Sequence, residues 1–147
     1  MSFNEDIPRP RIVVATHGRF AEGILDSLRM IAGCSFEVES VCAYTDEDVD
    51  YSAYMRNLVE AHDYEKRQLI VVTDLLGGSV HNEFVQLSAE HPFFLVSGLN
   101  LPMLIELSMF QGPCTKEALE EIVVDSRGFI KLCDVSELDN SSVESDF

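Results

Sequence analysis

The chain has 147 residues, enough for one domain that buries a real core, and its 46% hydrophobic and 9% aromatic content is that of a globular fold, remote from disorder. Its 26 acidic against 10 basic residues leave a net charge of −16, which argues against nucleic acid, whose affinity comes from Lys and Arg neutralising phosphates. Such acidity suits a soluble protein that meets basic partner surfaces, and no apolar run approaches the roughly 18 residues of a membrane span.

The first residues, Met1 to Arg11, lack the positive-then-apolar order of a signal peptide, which points to the cytoplasm. From Arg11 to Thr16 a continuous apolar run predicts a strand covered on both faces. His17-Gly18 interrupts it, and Phe20, Ile24, Leu28 and Ile31 then fall on one helical stripe that Gly33 stops. Phe36 to Tyr44 alternates as a second strand. Thr45 to Asp48 resembles a capping box for a helix carrying Tyr51, Met55, Leu58 and Ala61, with the acids from Asp46 to Asp50 as a solvated helix start. Gln68 to Asp74 predicts another buried strand, leading through Leu75-Leu76-Gly77-Gly78 into a helix from Ser79 to Glu90. Phe93 to Ser97 predicts a fourth strand, and Pro102 suits the first turn of a helix reaching from Met103 to Phe110. Thr115 to Val124 reads as helix and Gly128 to Cys133 as a short final strand. The segment 134–147 holds five acids and no base and is expected to be disordered, leaving residues 1–133 as the domain.

Strands alternating with helices predict an α/β fold, doubly wound, with a mostly parallel central sheet and helices on both faces. In such sheets ligands gather beyond the carboxyl ends of the strands. The polar residues at three strand ends should therefore converge: His17, then Asp74 with Gly77, Gly78 and Ser79, then Gly98 with Asn100.

An imidazole at a strand end, followed by a glycine, serves as base, metal ligand or nucleophile, or as a hydrogen-bonded structural group. A carboxylate at Asp74 beside it would hold one ring N–H and leave the other nitrogen free to attack; the plainer alternative is a turn or cap residue. Gly77-Gly78-Ser79 before a helix offers backbone N–H groups and a partial positive charge to a phosphate, although an ordinary tight turn has the same composition. It is neither a Walker loop, lacking the Lys, nor a nucleophile elbow, so a Ser79 hydrolase finds no motif. His81 stands two residues on as a second candidate titrating group, while His62 and His91 read as surface residues. A zinc site from His17, His81 and Asp74 lacks any HExxH or Cys/His spacing, so no metal and no other cofactor is expected. Cys34, Cys42, Cys114 and Cys133 show no metal spacing and are expected as reduced, buried or half-buried thiols.

Three motifs occur in order: Ile12-Val-Val-Ala-Thr-His17-Gly18, Asp74-Leu-Leu-Gly77-Gly78-Ser79-Val-His-Asn82, and Gly98-Leu-Asn100-Leu-Pro102-Met103-Leu-Ile-Glu106. Together, over residues 11–133, they resemble the enzyme IIA domain of the mannose class of the bacterial sugar phosphotransferase system. The resemblance implies that His17 carries a phosphoryl group, that Asp74 orients its imidazole, and that Gly77, Gly78 and Ser79 lie around the phosphoryl oxygens. It further implies HPr as donor, an enzyme IIB as acceptor, and association with a membrane only through the transporter complex. It also implies a homodimer, in which a C-terminal strand, here Phe129 to Cys133, crosses as an antiparallel edge strand to the other subunit's sheet. Val80 replaces the family's usual proline, Leu76 an aromatic and His81 an apolar residue. A regulatory phospho-acceptor that binds a regulator or kinase, without sugar transport, is the alternative reading. The related subunit of dihydroxyacetone phosphorylation is disfavoured by the Gly-Gly-Ser and Asn-Leu-Pro-Met stretches.

Overall fold

A computed structural model describes residues 8–33 and 37–136. Strands β1 (Arg11–His17), β2 (Val38–Ala43), β3 (Leu69–Thr73) and β4 (Phe94–Ser97) form one parallel sheet in the order β2-β1-β3-β4. The two central strands are runs of β-branched residues with no polar face, and Ile12–Thr16 and Leu69–Thr73 are buried throughout. A strand covered on both sides needs no alternation, because both of its faces meet helices.

Side chains one residue apart supply two separate cores. Ile12, Val14, Ile70, Val72 and Val96 face α1 (Phe20–Ala32), α4 (Leu101–Ser108) and α5 (Lys116–Arg127). Val13, Ala15, Val41, Ala43, Leu69 and Val71 face α2 (Tyr51–Glu60) and α3 (Ser79–Ser88). The sheet is thus doubly wound. The first crossover carries the chain to β2 on one side of β1, and the second brings it back to β3 on the other. The carboxyl ends of β1 and β3 therefore flank the switch point, where loops diverge and leave a crevice.

Helix boundaries follow local chemistry. Gly33 takes φ 84° behind α1, and its N–H donates to the Arg29 carbonyl, as a helix-ending glycine should. Asn100 and Thr115 cap α4 and α5 through Met103 N–H and Ala118 N–H. The expected capping box at Thr45–Asp48 does not form. Asp50 caps α2 instead, accepting from Ala53 N–H at 3.0 Å, while the Thr45 hydroxyl donates back to the Cys42 carbonyl. The helix begins later because Asp46 and Asp48 are spent in a turn, Asp48 N–H donating to Asp46 Oδ1.

Gly128–Cys133 is not a strand. Among the described residues no edge pairs with it, and an unpaired strand leaves its backbone groups unsatisfied. The segment follows α5 through turns closed by Phe129 N–H to Ser126 O and Ile130 N–H to Arg127 O, with Phe129, Ile130 and Leu132 exposed. Cys133 is also exposed, against expectation, because it sits on this same uncovered segment; Cys42 is half-buried and Cys114 buried. Cys34, Phe36 and most of the acidic tail lie outside the described residues.

Candidate functional site

β1 delivers His17 to the switch point, and Gly18 at φ 59° turns the chain toward α1. Thr16, fully buried, secures that turn by accepting from Ala21 N–H at 2.8 Å. Next to β1, Asp74 directly follows β3. Its Oδ2 accepts from the His17 backbone N–H at 2.8 Å and lies 2.9 Å from His17 Nδ1. The carboxylate is a hydrogen-bond acceptor, so Nδ1 carries the proton and donates it. The other ring nitrogen, Nε2, lies 3.0 Å from Ser79 Oγ. Asp74 is 12% exposed in its side chain and His17 43%, so the orienting group is sheltered and the oriented one is presented outward.

Burial alone would push the Asp74 carboxyl up, but the two hydrogen bonds and the charge of His17 outweigh it and hold the group below the ordinary carboxylate range. Its second oxygen, Oδ1, is buried with no hydrogen-bond partner. Both hydrogen bonds from His17 to Asp74 thus fall on one oxygen.

The loop between β3 and α3 is shaped by its glycines. Gly77 has φ 79°, and the Asn82 side chain donates to its carbonyl at 3.1 Å. Gly78 is constrained by proximity: a Cβ there would stand 3.1 Å from Leu75 O and 3.2 Å from His17 Cε1. Its own N–H closes the turn onto Leu75 O at 3.0 Å, so the donors at the mouth of α3 come from Ser79 onward. The helix start also brings partial positive charge to the side of the imidazole that faces outward.

Of the expected set, His17, Asp74, Gly77, Gly78 and Ser79 are together. The Gly98–Asn100 turn also reaches this end of the sheet, Leu99 N–H donating to the Thr73 carbonyl at 3.1 Å, but the Asn100 side chain is engaged as the cap of α4. His81 is buried behind the loop, and its Nδ1 lies 2.7 Å from Thr73 Oγ1 rather than on a site residue. Burial pushes its imidazole below the ordinary histidine range, toward the neutral form. His62 and His91 are half-buried rather than on the surface; His62 Nε2 donates to the Arg67 carbonyl. Among the described residues no three His, Cys, Asp or Glu side chains are arranged to hold a metal ion, and no helix is long and apolar enough to cross a membrane.

One participant escaped the sequence reading. Tyr44, which enters there only as the end of a strand, donates its hydroxyl to Ser79 Oγ at 3.0 Å, and its ring centroid lies 5.6 Å from that of His17. The available signal was positional: an aromatic residue at the carboxyl end of the strand neighbouring β1.

Residues 11–125 match the family model EIIA-man, described as the PTS system fructose IIA component. The sorbose-specific EIIA component of the PTS system from Klebsiella pneumoniae is 33% identical over 97 residues, covering 65% of this chain and 70% of that protein. A crystal structure of a proposed phosphoenolpyruvate-dependent sugar phosphotransferase system permease from Klebsiella pneumoniae subsp. pneumoniae superposes with a TM-score of 0.77. It is 32% identical, with 93% of this chain and 99% of that one covered. The mannose/sorbose-specific IIA subunit of the phosphotransferase system from Enterococcus faecalis shares the fold. Its TM-score is 0.75 at 24% identity, covering 87% of this chain and 97% of that one.

Proposed function

The chain belongs to the mannose-class enzyme IIA family of the sugar phosphotransferase system, and from that membership we propose that it is a cytoplasmic phosphocarrier: it accepts a phosphoryl group from phospho-HPr on His17 and passes it to an enzyme IIB partner for sugar uptake and phosphorylation. The observation that carries this reading is the pair of contacts on one imidazole. Nδ1 donates to Asp74, and Nε2, on an exposed ring, faces Ser79 at a helix start.

The mechanism follows from where charge moves. A transferring phosphoryl group is loosely bonded, so the protein acts by positioning and by electrostatic stabilisation. Neutral His17 aims the Nε2 lone pair at the phosphorus of the donor phosphohistidine. As the new N–P bond forms, the donor's N–P bond breaks and its electron pair stays on the donor imidazole. The His17 ring becomes cationic in character, and the Asp74 carboxylate, already on Nδ1–H, stabilises it without taking the proton. The Ser79 hydroxyl and N–H, with the dipole of α3, hold the phosphoryl oxygens, while Gly77 and Gly78 give the loop its close approach to the ring. Transfer to the IIB partner is the same sequence reversed.

Dimerisation belongs to the same reading. Phe129 to Cys133 carries apolar side chains that this subunit leaves exposed, as a segment destined for another copy's sheet edge would. Residues 1–133 form the carrier domain and 134–147 an acidic tail.

Incubation with phosphoenolpyruvate, enzyme I and HPr, followed by intact mass at neutral pH, tests the carrier role. The expected result is a gain of one acid-labile phosphoryl group, absent from His17→Ala. Equal labelling of that variant, or none of the wild type while HPr is charged, would reject it.

A further inference from the structure

We propose that Tyr44 is a positioning residue for the phosphoryl acceptor, acting through Ser79 to keep the His17 Nε2 lone pair free of a proton. This rests on His17 being the group phosphorylated, and it assigns a part to a residue outside the three motifs.

The hydrogen-bond directions carry the inference. Tyr44 donates its hydroxyl to Ser79 Oγ at 3.0 Å. Ser79 has one proton of its own, and Nε2 is the neighbour 3.0 Å away that can accept it. At the other end of the ring the Asp74 carboxylate only accepts, so the proton of the imidazole belongs on Nδ1. The line from Tyr44 through Ser79 and His17 to Asp74 therefore runs in one direction. A donor at one end and an acceptor at the other select the tautomer that can attack phosphorus.

The backbone supports this placement. Tyr44 has φ 64°, the one non-glycine positive value among the described residues, in a region that L side chains seldom occupy. Strain of this kind persists where the surroundings over-determine it. Here the preceding carbonyl, of Ala43, accepts from Gly18 N–H at 2.9 Å, and the Tyr44 ring meets the edge of Tyr51 with centroids 5.9 Å apart. The twist aims a half-exposed phenol at the His17 side of the loop.

During transfer no proton needs to leave the network. Nε2 forms its bond to phosphorus as the donor's bond breaks with its pair, and Nδ1 keeps its proton toward Asp74. The Ser79 O–H rotates from Nε2 to a phosphoryl oxygen, its Oγ held in place by Tyr44.

The test uses phosphoramidate as a small phosphoryl donor, which needs no HPr, on the full chain and on Tyr44→Phe, Ser79→Ala and the double variant. Tyr44→Phe keeps the ring and removes the hydroxyl. Its expected effect is about a five-fold slower phosphorylation of His17 at saturating donor, the factor that one neutral hydrogen bond of ordinary strength supports. In the Ser79→Ala background the same change should cost nothing further, since the path runs through Ser79. A wild-type rate for Tyr44→Phe, or a five-fold loss that persists without Ser79, would overturn the proposal; the second result would mark a role in packing instead. Labelling by phosphoramidate but not by phospho-HPr would remove the carrier role and leave the Tyr44 assignment standing on its cycle. If neither donor modifies His17, both fall.

Discussion

At the scale of single residues, the proposed carrier role depends on which nitrogen of His17 holds a proton, and the Asp74 carboxylate on Nδ1 is the group placed to control that. Asp74→Asn keeps the shape but can turn an amide N–H toward Nδ1, which moves the ring proton to Nε2 and blocks the attacking pair. We expect the fold to survive and phosphoryl transfer to fall by roughly 100-fold or more, measured by rapid-quench labelling. Two titrating groups, the partly buried Asp74 and the buried His81, also make stability depend on pH, in separate windows. The Asp74 carboxyl is held below its ordinary value, so its contribution is complete above about pH 4 and is lost as pH falls through the lower folded value. His81 is a base whose affinity for a proton is lowered by burial. The unfolded chain then binds a proton below about pH 6.5 that the folded chain resists, so stability declines as pH drops through 6.5 toward the folded value. His81→Asn, which retains a polar atom toward Thr73, should flatten the slope of unfolding free energy below about pH 6.5 in urea titrations. An unchanged slope would assign it to other groups.

At the scale of elements, the loop between β3 and α3 explains why two successive glycines precede Ser79. They answer different demands: Gly77 adopts a positive φ, whereas Gly78 has ordinary dihedrals and no room for a Cβ. Gly78→Ala must push either the Leu75 carbonyl or the His17 ring by a few tenths of an ångström. We expect a loss of about 1–3 kcal/mol in stability, together with slower transfer, because the ring is the softer neighbour. Calorimetry alongside labelling rates checks both. A variant with wild-type stability and rate would mean that the loop yields without moving the imidazole. The loop between β2 and α2 shows why composition alone misplaces a helix start. Thr45 to Asp48 has the composition of a cap, yet Thr45 bonds backward to Cys42 O and the cap falls to Asp50. A capping residue needs the following N–H groups already turned toward it, which composition does not record.

At the scale of the whole molecule, the doubly wound sheet converts residues 57 positions apart into neighbours. The sheet order β2-β1-β3-β4 puts β1 beside β3, so His17 and Asp74 meet because their strands pair in register, Ala15 opposite Thr73. The C-terminal segment is the other feature at this scale. Phe129, Ile130 and Leu132 are 64%, 78% and 98% exposed, an unusual cost for a subunit left alone in water. We expect the full chain to be a dimer by sedimentation equilibrium and a chain ending at Gly128 to be a monomer that keeps its fold. A full-length monomer would reject the exchanged strand.

Much of this protein was determined by the sequence alone. The buried strands, the amphipathic helices and the punctuating glycines are local, since period-2 and period-3.6 patterns and turn chemistry are written in consecutive residues. His17, Asp74 and Ser79 were legible for a related reason: a parallel sheet places the carboxyl ends of its strands on one side, so strand-end residues are neighbours by rule. Other features waited for the tertiary structure. Tyr44 joined the site because the end of β2 turns through a left-handed residue, and nothing in the tyrosine's own flanks announces that. His81 went to Thr73, and Asn100 to its own helix, because each found a nearer hydrogen-bond partner once the chain was packed. The last apolar run reads as a strand but pairs with no strand among the described residues. Pattern records a segment's preference, whereas hydrogen-bond partners and free sheet edges exist only after folding.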